Sequence, residues 1–271
     1  MNDVLEGVLA DLAAQSSELE QQLVALGDDQ WRTPTPAAGW DIATQVAHLA
    51  WTDEAALAAA HSVEGDKGPW DELVLEAMSD PNHVVDNAAL AGGRAPSERL
   101  LQRWQSGRTA LAEALRAVPD GAKMPWFGPP MSPTSMATAR FMETWAHSLD
   151  VHDALVAAGL AEQVPEPTDR IRHVAHLGVR TRNFSFMARE LPAPTEEFRV
   201  TLTAPSGVTW SYGPEDARQT VTGSAHDFCL LVTQRINRAD TDLVATGPDA
   251  DAWLDIAQAF AGNPGSGRAA K

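Results

Sequence analysis

Residues 143–150 read Glu143-Thr144-Trp145-Ala146-His147-Ser148-Leu149-Asp150, and the fold turns on whether this stretch is helical. At about 100° per residue a helix places Glu143, His147 and Asp150 in one narrow stripe, each about a turn from the next. A helix is expected from about Thr134 to Ala158, with Gly159 as its C-cap. A carboxylate and an imidazole one turn apart can chelate a metal ion, as inward-facing Glu and His do in helical bundles. The same spacing suits an exposed Glu–His pair on a solvated face, so the pair alone leaves both readings open. Asp150 would support the site or add a fourth partner. His152, rotated about 140° from His147, points elsewhere.

Upstream, Leu5, Leu9, Leu12, Leu19, Leu23 and Leu26 recur at helical spacing over residues 3–26. Pro34, Pro36 and Gly39 then break the chain, and Asp41 is placed to cap a second helix running to about His61. That helix carries only Asp53 and Glu54 as charges between Ile42 and Ala60, so His48 is expected to be buried and to need a partner. Its strongest apolar stripe, Ile42, Val46, Leu49 and Leu57, lies opposite His48, so phase alone does not aim the imidazole inward. Short helical pieces interrupted by Pro69, Pro81 and Gly92-Gly93 occupy residues 65–96. A third long helix is expected from an N-cap at Ser97 through Leu100, Trp104, Leu111 and Leu115 to Val118. The proline-rich stretch 124–133 must be a shaped loop. Its Trp126 and Phe127 suit either the walls of a substrate pocket or a plug for one end of a bundle. Arg140, one turn before Glu143, is placed to orient that carboxylate or to bind an anionic ligand. Four long helices predict a bundle over residues 1–160.

Beyond a linker at residues 161–167 the pattern changes. Thr168 is placed to cap a helix to about Leu191. Phe198, Val200 and Leu202 alternate with polar residues, and the Pro205-Ser206-Gly207 turn leads into residues 208–212 as a hairpin. Further strands are expected at 218–222 and 241–245, with helices at 227–235 and 252–261. The fold class is therefore α + (α+β), a helical bundle followed by a small α+β domain over 168–262 and a frayed tail over 263–271. His173 and His176, with Arg172 and Arg180, have the spacing of a second metal pair or an anion-binding face, but read rather as a mixed cationic helix face offsetting nearby acids. Cys229, in the apolar run 228–232, reads as a buried core thiol.

A net charge of −17 over 271 residues removes the basic footprint that nucleic acid or an anionic membrane requires. A single cysteine excludes an internal disulfide and any zinc–thiolate motif, so a metal here must use N and O ligands. No signal peptide or membrane span is read, and a cytoplasmic protein is expected.

Trp31, Gly39-Trp40-Asp41, Val46-Ala47-His48-Leu49 and Glu143-x3-His147-x2-Asp150-x2-Asp153 together resemble the DinB-like, mycothiol-dependent maleylpyruvate isomerase superfamily, and the likeness extends through the second domain. Residues 125–132, 142–147 and 227–235 are similar to an actinobacterial branch of metal-binding proteins without an assigned reaction. The resemblance implies a DinB-like bundle in which His48, Glu143 and His147 hold a divalent metal, usually zinc, with a coordination position left open. A thiol bound there would ionise at neutral pH. With no cysteine of the chain's own in the bundle, the thiol would be a small molecule, which the resemblance identifies as mycothiol. In the superfamily isomerase a thiolate adds to an activated cis double bond, the resulting single bond rotates, and the thiol is eliminated.

Arg235 falls where the family has a functional arginine, and a guanidinium fork suits a substrate carboxylate. A helix C-terminal cation is the structural alternative for it, and Arg238 is the second choice. The expected partners are thus a small thiol and a small substrate, used by an isomerase or thiol transferase. The alternative is a non-catalytic module that senses a thiol or small anion through the same pocket. Residues 67–93 and the proline-rich loop have no counterpart in the isomerase proper, and either can reshape the pocket.

Overall fold

The computed structural model describes residues 2–262, 264–265 and 267–271, and it divides into one unit up to Pro165 and a second from Glu166 onward. In the first unit the Asn2 side chain accepts from the Val4 and Leu5 N–H groups and opens α1 (Asp3–Leu23). Asp41 opens α2 (Ile42–Val63), accepting from the Thr44 N–H at 2.8 Å and its hydroxyl at 2.7 Å. Such a cap is worth about 1 kcal/mol. Two short helices follow, α3 (Gly68–Ser79) and α4 (Val84–Gly92), then the long α5 (Ser97–Ala117) and α6 (Pro133–Ala157). Ser97 is the first helical residue and not the cap: its hydroxyl donates to the Asp28 carboxylate, and Pro96 precedes it.

Ser132 caps α6 by accepting from the Ser135 N–H, and Pro133 takes the first turn, where its missing N–H costs nothing. At the other end Leu160 N–H donates to Leu155 C=O at 2.8 Å and Gly159 N–H to Val156 C=O at 3.0 Å, with Gly159 at φ +70°. This pairing satisfies two end carbonyls and needs a left-handed residue at position 159.

Burial within α2 explains why its apolar stripe is a poor compass. The stripe residues Ile42, Val46 and Leu49 pack with Leu19, Trp31 and Trp104, while Ala56 and Ala59 join a second cluster with Leu5, Leu111 and Met136. Helix α2 contacts α3, α4, α5 and α6, so it has no solvent face for most of its length. His48, opposite the stripe, is therefore interior too, at 7 % exposure.

In the second unit a 3-10 turn at Asp169–Ile171 leads into α7 (Arg172–Arg180) and α8 (Arg182–Met187), two helices where periodicity suggests one. Thr168 makes no side-chain cap bond. The break falls at Thr181, whose hydroxyl donates to Leu177 C=O at 3.0 Å and to Gln258 C=O at 2.8 Å. Strands β1 (Phe198–Thr203), β2 (Thr209–Tyr212), β3 (Gln219–Ser224) and β4 (Val244–Thr246) form one sheet in the order β2-β1-β3-β4. The central β1–β3 pair is parallel and both outer pairs are antiparallel.

Helix α9 (Ala225–Val232) starts two residues before the expected point because the Ser224 hydroxyl accepts from the His226 and Asp227 N–H groups. Helix α10 (Pro248–Ile256) likewise starts early, at a proline whose φ suits the first turn. Phe198, Val200, Leu202 and Val221 point to the core, where Trp253 meets Phe198 and Phe228 edge-on at 5.8 and 5.7 Å. The tail expected to fray is tied down: the Asn237 amide donates to Arg268 C=O at 2.8 Å, and Lys271 N–H to Asp240 at 3.0 Å. Asn263 and Ser266 lie outside the described residues. Among the described residues no helix is long and apolar enough to cross a membrane.

Candidate metal centre

Helices α2 and α6 bring His48, Glu143 and His147 together. Nε2 of His48 lies 3.3 Å, and Nε2 of His147 3.2 Å, from the same Glu143 Oε2. The two imidazole rings are 4.4 Å apart between centroids, and one donor atom from each residue falls within 4.8 Å of the others. Of the two readings open for the Glu143–His147 pair, the solvated face is excluded by His48 on the facing helix. At Zn–N distances of about 2.0–2.1 Å, two ligands of a tetrahedral ion stand about 3.3 Å apart. The two separations to Oε2 match that spacing, and the donor set of two imidazoles and one carboxylate suits zinc or a similar divalent ion.

Electrostatics agree with a cation. Burial by itself pushes the Glu143 carboxyl up, but hydrogen bonds to His147 and His48 outweigh it and hold the group well below the ordinary carboxylate range. The side chain keeps 21 % exposure and His147 13 %, so the cluster is open on one side.

The Trp40 indole covers both rings, stacked on His147 at 5.9 Å and 17° and tilted against His48 at 5.4 Å. Beyond it lies a cavity of about 400 Å³ lined by Arg32, Trp40, Asp41, Leu90 and Arg94 among others. Leu90 comes from α4 and Arg94 from the turn after it, so this part of the chain forms one wall of the cavity.

Gln45 and Asp150 flank the other nitrogen of His147. Gln45 Oε1 lies 2.5 Å from Nδ1, and Asp150 Oδ2 lies 3.9 Å from it, beyond hydrogen-bond reach. Nδ1 of His48 is buried with no hydrogen-bond partner among the described residues, so packing against Trp40 orients that ring. Gln45 and Trp40 were not singled out by the sequence reading as site residues. A signal for Gln45 did exist: it sits one turn before His48 in an almost uncharged buried helix, where an amide must find a partner.

The remaining expected site residues have other partners. Arg140 does not orient Glu143: it is buried at 2 % exposure, donating from Nε to Asp53 Oδ1 at 2.9 Å and from Nη2 to Thr52 Oγ1 at 2.6 Å. Trp126 packs beside Trp70 and Phe127 against the core cluster at the end of the bundle, on a loop pinched by reciprocal Met124–Met131 backbone bonds of 2.8 and 2.9 Å. This is the plug, not the pocket wall. Arg235 follows α9 at a left-handed Gln234 (φ +60°), and its Nη1 donates to Thr233 C=O at 2.5 Å. Arg238 is held by Asp251 and Asp255 of α10, which neutralise the charge it would offer a cofactor. Cys229 is buried and donates to Ile171 C=O, as a core thiol should.

Comparison with known proteins agrees with this fold. The family model described as "Mycothiol maleylpyruvate isomerase N-terminal domain" matches residues 12–152, and one described as "Wyosine base formation" matches residues 194–246. Two uncharacterized proteins of Mycobacterium tuberculosis, from strains CDC 1551 / Oshkosh and ATCC 25618 / H37Rv, are each 51 % identical over 260 residues, covering 96 % of this chain and 97 % of theirs. Crystal structures of the mycothiol-dependent maleylpyruvate isomerase share the fold. A histidine-to-alanine mutant superposes with a TM-score of 0.59 at 15 % identity, and a second crystal structure of the isomerase with 0.57 at 14 %, each covering 90 % of this chain and 95 % of the other. With the family model spanning more than half of the chain, and its match containing the whole His48–Glu143–His147 cluster, the chain belongs to the mycothiol maleylpyruvate isomerase N-terminal domain family.

Proposed function

We propose that this chain is a cytoplasmic, zinc-dependent or otherwise divalent-metal-dependent enzyme that uses mycothiol, acting as an isomerase or S-transferase on a small carboxylate-bearing substrate. The observation that carries the reading is the convergence of His48, Glu143 and His147 on one point, within a bundle of this family. Three protein ligands leave a coordination position for a small molecule. When bound, the metal supplies acidity to a coordinated thiol, which makes the thiol a nucleophile at neutral pH. Glu143, held ionised by its neighbours, offsets part of the metal's charge. Trp40 packs against both imidazole rings.

Metal analysis of the purified protein beside His48→Ala and His147→Ala tests the reading. Roughly one ion per chain is expected in the parent and a loss in both variants. Full occupancy in both variants, or a parent without metal, would sink it. A cobalt-substituted protein titrated with mycothiol is expected to gain a sulfur-to-metal absorption band, and no spectral response at millimolar thiol would leave a metal protein without the thiol chemistry.

A further inference from the structure

We propose that a hydrogen-bond relay from the Trp40 backbone carbonyl, through Thr35 and Gln45, fixes which nitrogen of His147 carries the proton, and so makes Gln45 and Thr35 positioning residues of the metal centre. The inference rests on the metal reading above. Three contacts define the relay. The Thr35 hydroxyl lies 3.0 Å from Trp40 C=O, the Gln45 amide lies 2.8 Å from Thr35 Oγ1, and Gln45 lies 2.5 Å from His147 Nδ1.

Their directions follow one from another. A carbonyl can only accept, so the single Thr35 hydroxyl proton points at Trp40. Thr35 Oγ1 must then accept, which turns the NH₂ end of Gln45 towards it and the Oε1 end towards His147. An amide oxygen can only accept as well, so His147 Nδ1 carries the hydrogen and a neutral ring presents a bare Nε2. The opposite amide orientation would set Thr35 Oγ1 and Trp40 C=O facing each other as two acceptors at 3.0 Å.

The bare Nε2 is the atom 3.2 Å from Glu143 Oε2. At that distance the two lone pairs need a positive charge between them, either a metal ion or, in metal-free protein, the proton that makes the His147–Glu143 hydrogen bond. Gln45 is fully buried, so the centre of the relay is shielded from competing water, while Thr35 and His147 are half-buried. Asp150, at 3.9 Å, does not replace it. Among the described residues His48 has no such relay at its own Nδ1, so His147 is the imidazole that the relay pre-sets for ligation. The loop that anchors the relay also carries the indole stacked on His147, so ring plane and tautomer are set by one segment, residues 33–41.

The test uses the full chain. In metal-free protein labelled with ¹⁵N, above the titration range of histidine, two-bond ¹⁵N–¹H correlations should show His147 as the Nδ1–H tautomer. Gln45→Leu, similar in size but without the acceptor, should lose that signature and bind zinc about tenfold to a hundredfold more weakly in chelator competition, the range for removing such a partner. Gln45→Glu loses the donor to Thr35 but keeps an acceptor at His147, and should therefore retain the Nδ1–H tautomer. Thr35→Val, which leaves the amide free to turn, should show mixed tautomers.

An Nε2–H tautomer in the parent overturns the proposal, as does a Gln45→Leu protein with unchanged tautomer and affinity. If Gln45→Leu does not fold, the parent spectrum and Gln45→Glu still decide. A parent that shows Nδ1–H yet binds no zinc supports the relay while refuting the metal reading, so the two failures are distinct.

Discussion

Replacing Arg140 with Met should cost this protein a large part of its stability while leaving the metal cluster intact. Arg140 and Asp53 form an ion pair with side-chain exposures of 2 % and 6 %, closed by a 2.6 Å bond from Arg140 to Thr52. Methionine fills much of the arginine stem but leaves Asp53 buried without its counter-charge, and removing one partner of such a pair costs about 3–5 kcal/mol. Against a total of about 5–15 kcal/mol this is severe. At roughly 2–4 °C per kcal/mol for a domain of this size it lowers Tm by roughly 6–20 °C.

The sign of the pH dependence is determined. Burial pushes the Asp53 carboxyl above its ordinary range, and Arg140 only partly offsets this. A carboxyl raised in the folded state favours folding while it is protonated, and that contribution is lost as pH rises through the folded pKa. Without Arg140 the loss is larger, so the gap between variant and parent should narrow from pH about 7 towards about 4, where carboxyls protonate. Paired urea melts at both pH values measure it.

The double variant Asp53→Leu/Arg140→Met, which leaves no orphaned charge, should return to within about 1 kcal/mol of the parent. Metal content should be unchanged in both proteins. A deficit below about 1 kcal/mol in the single variant would refute the reasoning, as would one that does not depend on pH or a double variant no better than the single.

Two further outcomes follow from local geometry. Gly213, at φ +78° after β2, has Phe198 C=O where a Cβ would stand, only 2.0 Å away, so Gly213→Ala should destabilise the second unit by about 2 kcal/mol or more in thermal melts, and an unchanged Tm would count against that turn. Burial pushes the Cys229 thiol well above its usual range. The native protein should therefore be inert to a thiol-specific reagent at neutral pH and react only after denaturation, whereas rapid native labelling would show the α9 core to be open.

The four long helices were readable from local signals: leucines at helical spacing in α1, a capping aspartate before α2, the spacing of Leu100, Trp104, Leu111 and Leu115 in α5, and a glycine after α6. The Glu143–His147 pair was readable for the same reason, since i and i+4 are neighbours on any helix. The hairpin of β1 and β2 was legible from alternation and a Pro-Ser-Gly turn. Limits of α7 to α10 were less so, because Thr181, Ser224 and Pro248 act through single side chains that periodicity averages out.

What the sequence by itself determined, then, is what short-range geometry controls: helices, caps, one hairpin, a ligand pair on one helix face, and the absence of a thiolate metal motif. Tertiary structure alone decided three other matters. It turned His48 towards α6, because α2 is buried on every side and an apolar stripe no longer marks a single interior face. It gave Arg140 to Asp53 and Thr52 on α2 and not to its own helical neighbour Glu143, because a buried charge takes the partner that packing presents. It also brought Gln45 to the far nitrogen of His147, more than a hundred residues away along the chain. Hydrogen bonds and ion pairs act over about 3 Å of space, and spacing along a sequence measures that distance only within one element.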